Sequence, residues 1–446
     1  MLRWVVQWMG AEWTEKEAAH LLSRAAFFPG KAEVSASLEL GKEETVRRLI
    51  AGESLTGKAE DLTPFGELKA DGKNLVGDQI VDQQTYWLYR MVNTEAPLIE
   101  KMTLFWHGHF ATSYQKVREI PLILRQNELF RKHATGNFRT LVEAVGKDPA
   151  MMLYLDTNNN KKGKPNENYA REVMELFTLG VGNYTEDDIK EAARAMTGWV
   201  YDKKTDIVSF NSKQHDAGKK TILGETGNFD ETDVVDVLFK QETLPRFVAM
   251  KLLTYFATER PSAEWIWEIA DVFAQTNHIG ETLNYLFLSD AFYNPEHRGA
   301  MIKTPAEYVA GILKAFNLPM AKGFAQSMRK MGQELFLPPD VAGWRGGTTW
   351  LMTTNLLARY QFAESIAKRI NGNLLNSKTF LLDDKATPEQ WVAHFANQAG
   401  VPLLGNRSVS VLSAFAEETF VYSKQKVNGM RGLLQLIMIS PEAQMK

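Results

Sequence analysis

Apolar residues recur at helical spacing along almost all of this 446-residue chain, and that period constrains its fold more than any other feature. Thr14-Glu15-Lys16-Glu17 has the spacing of a capping box. It predicts a helix through Ala18, Leu21, Leu22 and Ala25 that ends before Pro29-Gly30. Helical patterns follow over 43–50, 82–93, 97–112, 121–134, 137–146, 149–155 and 167–179. Thr185 and Asp188 cap a helix over 187–197. Others are predicted over 231–240, 243–258, 263–275, 279–289, 304–316, 322–335 and 353–369, and near 388–398, 409–422 and 427–438.

Strand character is confined to a short stretch. Val200, Tyr201, Ile207, Val208 and Phe210 flank the turn-like Asp202-Lys203-Lys204-Thr205, which predicts a small hairpin. Gly218 to Asp230 reads as a glycine-rich loop, and residues 52–80 as an irregular excursion. No period of 20–50 residues repeats. The expected fold is all-α: a large helical, bundle-like body with one or two short β-hairpins. Residues 1–370 would form the main body and 371–446 a helical part packed on it.

Composition removes several function classes. The net charge of -3 and scattered Lys and Arg give no electrostatic footprint for nucleic acid. The absence of cysteine excludes disulfides, thiolate catalysis, iron–sulfur clusters and cysteine-type zinc sites. No apolar run is long enough to span a bilayer. Met1 to Gly10 is too short for the apolar core of a leader, which places the protein in the cytoplasm unless the chain has been trimmed from an exported form.

Two segments concentrate chemistry inside apolar helices, where ionisable groups are costly unless partnered. The first is Phe105-Trp106-His107-Gly108-His109-Phe110. On a regular helix the two imidazoles point about 200° apart, so they share a centre only if the helix ends or distorts at Gly108. Otherwise one histidine is a buried, hydrogen-bonded core residue and the other lies at the surface. The second segment is Asn166 to Leu176. Asn168, Glu172 and Glu175 fall on one helical face, and Arg171 pairs by spacing with Glu167 and Glu175. Glu172 has no basic neighbour at these spacings and must find its partner elsewhere, in a metal, a histidine or a distant arginine. A surface salt-bridge ladder is the plainer alternative.

Three loops complete the candidates. His215-Asp216 follows the hairpin and could join a metal centre or an acid–base pair. Asp156, Asn158, Asn160 and Glu167 match four positions of a calcium loop, but Lys161 stands where glycine is required, so a polar loop is the better reading. Pro338 to Gly347 carries Trp344 and Arg345, an aromatic plate and a guanidinium suited to a sugar or another flat ligand with an anionic group.

These motifs together resemble a bacterial family known only as domain of unknown function 1800. The resemblance runs from His20-Leu21-Leu22-Ser23-Arg24-Ala25-Ala26-Phe27 through Glu100 to Thr112, Asn166 to Gly180 and Ala192 to Trp199. It continues over His215-Asp216, Lys220 to Phe229, Met331-Gly332-Gln333, Pro338 to Trp350 and Leu357-Ala358-Arg359. It implies a mostly helical protein, often exported, whose gene commonly neighbours that of a sulfatase-like protein. This chain departs from the usual member in showing no leader, and in having Gly108 where the family commonly has Asn.

The leading expectation is a hydrolase-like enzyme with a metal-assisted or histidine–carboxylate site. His107, His109, Glu172, Glu175, His215 and Asp216 are the candidates for catalysis and for one shared centre holding a divalent zinc, manganese or iron ion. Asn166, Asn168, Arg171, Arg194, Trp199, Trp344 and Arg345 would bind a small-molecule or glycan substrate. The alternative is a non-catalytic helical binding or assembly partner of a sulfatase-like protein, with these groups forming buried networks that fix the fold.

Overall fold

The computed structural model describes residues 12–377, 380–383, 385–401, 404–421 and 426–446. The Met1–Gly10 segment read for a leader lies outside the described residues. The protein is mainly helical, with three two-stranded antiparallel sheets among the described residues. No helix of these residues is long and apolar enough to cross a membrane.

Boundaries follow local chemistry. Thr14 caps the Glu15–Ala25 helix, accepting from the backbone N–H of Lys16. Thr185 and Asp188 form a reciprocal capping box on Glu186–Ala195, as their spacing predicts. Asp230 with Asp233, Thr304 with Glu307, and Thr387 with Gln390 do the same for three later helices. The predicted hairpin pairs Trp199–Asp202 with Ile207–Phe210. Several elements escaped the sequence reading, among them a hairpin of Lys69–Ala70 with Lys73–Asn74 and the short Tyr114–Val117 and Gly372–Leu375 helices. Lys31–Leu40 is also a helix, and the glycine-rich loop contains a further hairpin, Lys220–Ile222 against Glu225–Gly227.

Two apolar clusters fill the body. One gathers the Glu15–Ala25, Phe138–Gly146, Thr243–Phe256 and Ile279–Leu288 helices. The other gathers the Ile80–Asn93, Pro305–Phe316, Thr353–Arg369 and Lys426–Ile439 helices. Fully burying each large apolar side chain is worth about 1.5–3 kcal/mol, which is what holds so polar a set of loops in place. The Pro97–His109 helix runs along the seam. Leu98, Met102, Phe105 and Trp106 enter the first cluster, and Leu104 the second. The histidine motif therefore sits where the two halves of the core meet.

Candidate functional site

The Pro97–His109 helix stays regular through Gly108 and is capped at Phe110. The two imidazoles consequently face opposite sides, and the shared centre that a distortion at Gly108 would allow does not form. His107 is enclosed by Trp87, Phe336 and Trp344, with ring centroids 5.3, 5.8 and 5.4 Å away. Its Nε2 accepts from the backbone N–H of Phe336 at 3.1 Å. Burial pushes its pKa down to about 3, so it is neutral. This histidine braces a strained residue: Phe336 has φ 65°. That conformation is an outlier for a bulky side chain.

His109 faces the other way, into aromatic surroundings of Phe105, Phe177 and Phe247. Its Nε2 lies 3.0 Å from the carbonyl oxygen of Phe177. A carbonyl only accepts, so the proton is on Nε2 and Nδ1 carries the lone pair. Burial, reinforced by the nearby Lys251 charge, lowers its pKa to about 3. The Nδ1 atom is buried with no hydrogen-bond partner.

The carbonyl that orients His109 belongs to a defect in the second motif. The helix begun at Asn168–Glu172 widens into a π turn over Val173–Thr178. Such turns shift the helical register and recur at functional sites. The shift explains why the spacing argument fails beyond Glu172. Arg171 pairs with Glu167 at 3.3 Å and with Glu186 at 2.7 Å rather than with Glu175. Glu175 instead accepts from the Tyr184 hydroxyl. Among the described residues Glu172 makes neither an ion pair nor a hydrogen bond; burial, then Glu175, raises its pKa against the pull of Arg171. The Asn166 side chain accepts from the backbone N–H of Asn168 at 2.9 Å and so shapes the loop.

His215 and Asp216 belong to a third place. His215 Nδ1 donates to the Thr197 carbonyl at 3.0 Å. Asp216 accepts from Arg194 at 2.8 Å and from the Gly218 N–H at 2.9 Å. The Arg194 guanidinium holds the Asp216 carboxyl down, at about 2. Trp199 packs on Phe210 at 5.4 Å with Lys147 over its ring at 4.8 Å. These residues lock the hairpin to the body. The calcium-like loop is used the same way: Asn158 bonds both ways to the Tyr201 backbone, Asn160 donates to the Ala193 carbonyl, and Asp156 pairs with Lys116.

Among the described residues no three His, Asp or Glu side chains are grouped so as to hold a metal ion. His107, His109, Glu172, Glu175, His215 and Asp216 are thus distributed over separate places rather than gathered in one centre.

What the fold does assemble is a cleft of about 390 Å³ over His109. Lys251, Tyr255 and Glu259 line it from one side, Trp344, Arg345 and Trp350 from the other. The loop carrying Trp344 comes so close to the histidine helix that a Cβ on Gly343, at φ +76°, would lie 2.1 Å from the Gly108 carbonyl oxygen. Gly343 is therefore required, whereas a Cβ on Gly108 would meet only the Trp344 ring, at an ordinary 3.6 Å. Phe105 lies between His109 and Tyr255, its ring 6.0 and 5.0 Å from theirs. Like His109 Nδ1, the buried Tyr255 hydroxyl has no partner. Burial raises its pKa well above the ordinary value, so the phenol is protonated.

The sequence reading found His109, Trp344 and Arg345. It missed Lys251 and Tyr255, although they stand at i and i+4 on one face of the Thr243–Phe256 helix, and Glu259, which lies past the end of that helix.

The motifs now placed around this cleft are family motifs. Residues 20–445 match the family described as protein of unknown function (DUF1800). The chain belongs to that family. Neither the curated proteins nor the solved structures gave a significant match. The DUF1800 segments that carry Phe105 to Phe110, Asn166 to Gly180 and Pro338 to Trp350 lie far apart in sequence and meet at His109. The first supplies the imidazole, the second the carbonyl that orients it, and the third the Trp344 wall.

Proposed function

We propose that the His109 cleft is the active site of a hydrolase-like enzyme acting on a small anionic substrate with a flat or apolar part. One observation carries this reading. Two buried polar atoms without partners, His109 Nδ1 and the Tyr255 hydroxyl, belong to residues lining one cleft. Buried polar groups are paired in the great majority of cases, so two orphans at one cavity need an explanation, and a ligand supplies it. The neutral Nδ1 takes a hydrogen bond from a substrate hydroxyl or a water. The protonated phenol donates one to an oxygen that gains negative charge. Lys251, Arg345 and Lys446 outnumber Glu259 around the cleft, which favours an anion. Trp344 and Trp350 offer flat apolar faces, suited to a sugar ring among other groups.

The test is turnover of a panel of carboxyl, phosphate and sulfate esters and glycosides, with His109→Gln and Tyr255→Phe as controls. Turnover lost in both variants, with helicity intact, supports the reading. Turnover unchanged in both sinks it. The competing reading, a non-catalytic binding or assembly partner of a sulfatase-like protein, is favoured by the internal pairing of Arg171, Arg194 and Asp216. It predicts binding in the cleft without turnover of any ester.

A further inference from the structure

A second and larger cavity, about 1020 Å³, opens on the other side of the Met301–Lys303 segment. Its walls are mostly apolar, with Phe27, Phe28, Ile312, Leu404 and Met438 among them. Its polar end is unusual. Lys303, Glu307 and Lys446 line it; Glu307 and Lys446 are buried and Lys303 is half-buried.

Around that end the positive charges are not balanced. Glu307 Oε1 is shared by Lys101 Nζ at 2.6 Å and Lys446 Nζ at 2.5 Å. Lys303 Nζ has only the neutral Ala443 carbonyl, at 3.1 Å. Arg359 donates to the Lys303 carbonyl and to Gln444. Arg24 donates to the His297 carbonyl. Arg24, Lys101, Lys303, Arg359 and Lys446 are thus all drawn to the carboxylate of Glu307, while Glu17 pairs with Arg298 and Glu442 lines the same cavity. Among the described residues, Nε and Nη1 of Arg24 and Nε of Arg359 are buried without a hydrogen-bond partner. Charge buried in this way is strongly destabilising unless something compensates it.

We propose that this cavity binds an amphiphilic anion, with a carboxylate or phosphate head at Lys303 and Lys446 and an apolar chain along Phe27, Phe28, Ile312 and Leu404. A volume of this size, apolar walls and a few convergent polar groups are the ordinary make-up of a small-molecule site. The inference is independent of the reading of the His109 cleft, although Lys446 lines both cavities. Burial holds Lys303 near 8 and Lys446 near 7. An anionic head between them raises both, so binding near pH 7.5 takes up protons.

The experiment is isothermal titration of the full chain with dodecanoate, dodecyl phosphate, dodecanol and dodecyltrimethylammonium, each below its micellar concentration. One or both anions should bind at a single site, at least tenfold more tightly than dodecanol, with no binding of the cation. The tighter of the two anions distinguishes a carboxylate head from a phosphate. Lys303→Met should weaken the anions at least tenfold, to the level of dodecanol. Leu356→Trp, at the half-buried rim, should weaken every ligand that enters. Should Lys303→Met fail to fold, Leu356→Trp decides alone: weakened binding of the anions supports the site. Anions that bind no better than dodecanol, or binding untouched by the variants, overturn the proposal.

Discussion

His109 Nε2 donates to the Phe177 carbonyl at 3.0 Å, joining a helix end to a π turn 68 residues away. This one bond fixes the tautomer of the imidazole and leaves Nδ1 as the acceptor atom of the ring. Phe177 lies in the last turn of its helix, where the carbonyl has no intrahelical donor, and the imidazole takes that place. The Phe177 carbonyl is thus part of how the cleft is made, because it sets the imidazole that lines it.

Removing the other histidine separates bracing from chemistry. His107→Ala loses the acceptor for the Phe336 N–H and leaves a void among Trp87, Phe336 and Trp344. It should cost about 2–4 kcal/mol of stability, measured by urea unfolding. His109→Gln should cost less, because one bond to a carbonyl is lost and the volume is nearly kept. Equal costs would contradict the division of roles.

Docking of the Trp344 loop rests on a glycine. Gly343→Ala places a methyl group against the Gly108 carbonyl at positive φ. The loop must move, at a cost of more than about 1 kcal/mol. Quenching of tryptophan fluorescence by acrylamide should increase as Trp344 and Trp350 lose cover. Gly346→Ala, whose Cβ would meet nothing closer than Trp350 at 3.9 Å, should pay only for its backbone angle.

Most of the helical framework was legible in the sequence, because caps and apolar period are local signals. The Thr353–Arg369 and Pro388–Gln398 helices fall on the predicted residues. The site was legible only in part. His109, Trp344 and Arg345 stand out as residue types in an unusual context. The grouping of Glu172, Glu175, His215 and Asp216 with them rested on a regular helix and on loops whose partners are distant in sequence. The π turn broke the first assumption. The second failed because Arg194 and the Thr197 carbonyl, not a ligand, satisfy Asp216 and His215.

Glu172 offers a check on that revision. It has a raised pKa through burial and Glu175, and no partner to lose. Glu172→Gln should therefore leave the protein as stable or slightly more stable at pH 7, by a few tenths of a kcal/mol. Ligand binding in the His109 cleft should be unaffected. A large loss of either, seen by thermal shift, would return Glu172 to the site.

A pH dependence follows from Asp148, the N-cap of Pro149–Tyr154, which accepts from Met151 N–H and Gln126. Burial raises its pKa from 3.8 to about 7. The folded form then holds a proton that the unfolded chain has released. The associated stability is present below pH 3.8 and is lost as pH rises toward about 7. Asp148→Asn keeps the cap but cannot ionise. The stability difference between variant and parent should shift in favour of Asn from pH 4 to pH 7 and then level off, as read from urea midpoints. A constant difference would contradict the assignment.

The central claim is most directly tested by the imidazole nitrogens of His109. Long-range proton–nitrogen correlation spectra of histidine-labelled protein, assigned with His109→Gln, report the tautomer and charge of each ring. The account predicts a neutral His109 at pH 7 and still at pH 5, protonated on Nε2, with a bare Nδ1. A doubly protonated ring at pH 5, or a proton on Nδ1, would contradict it.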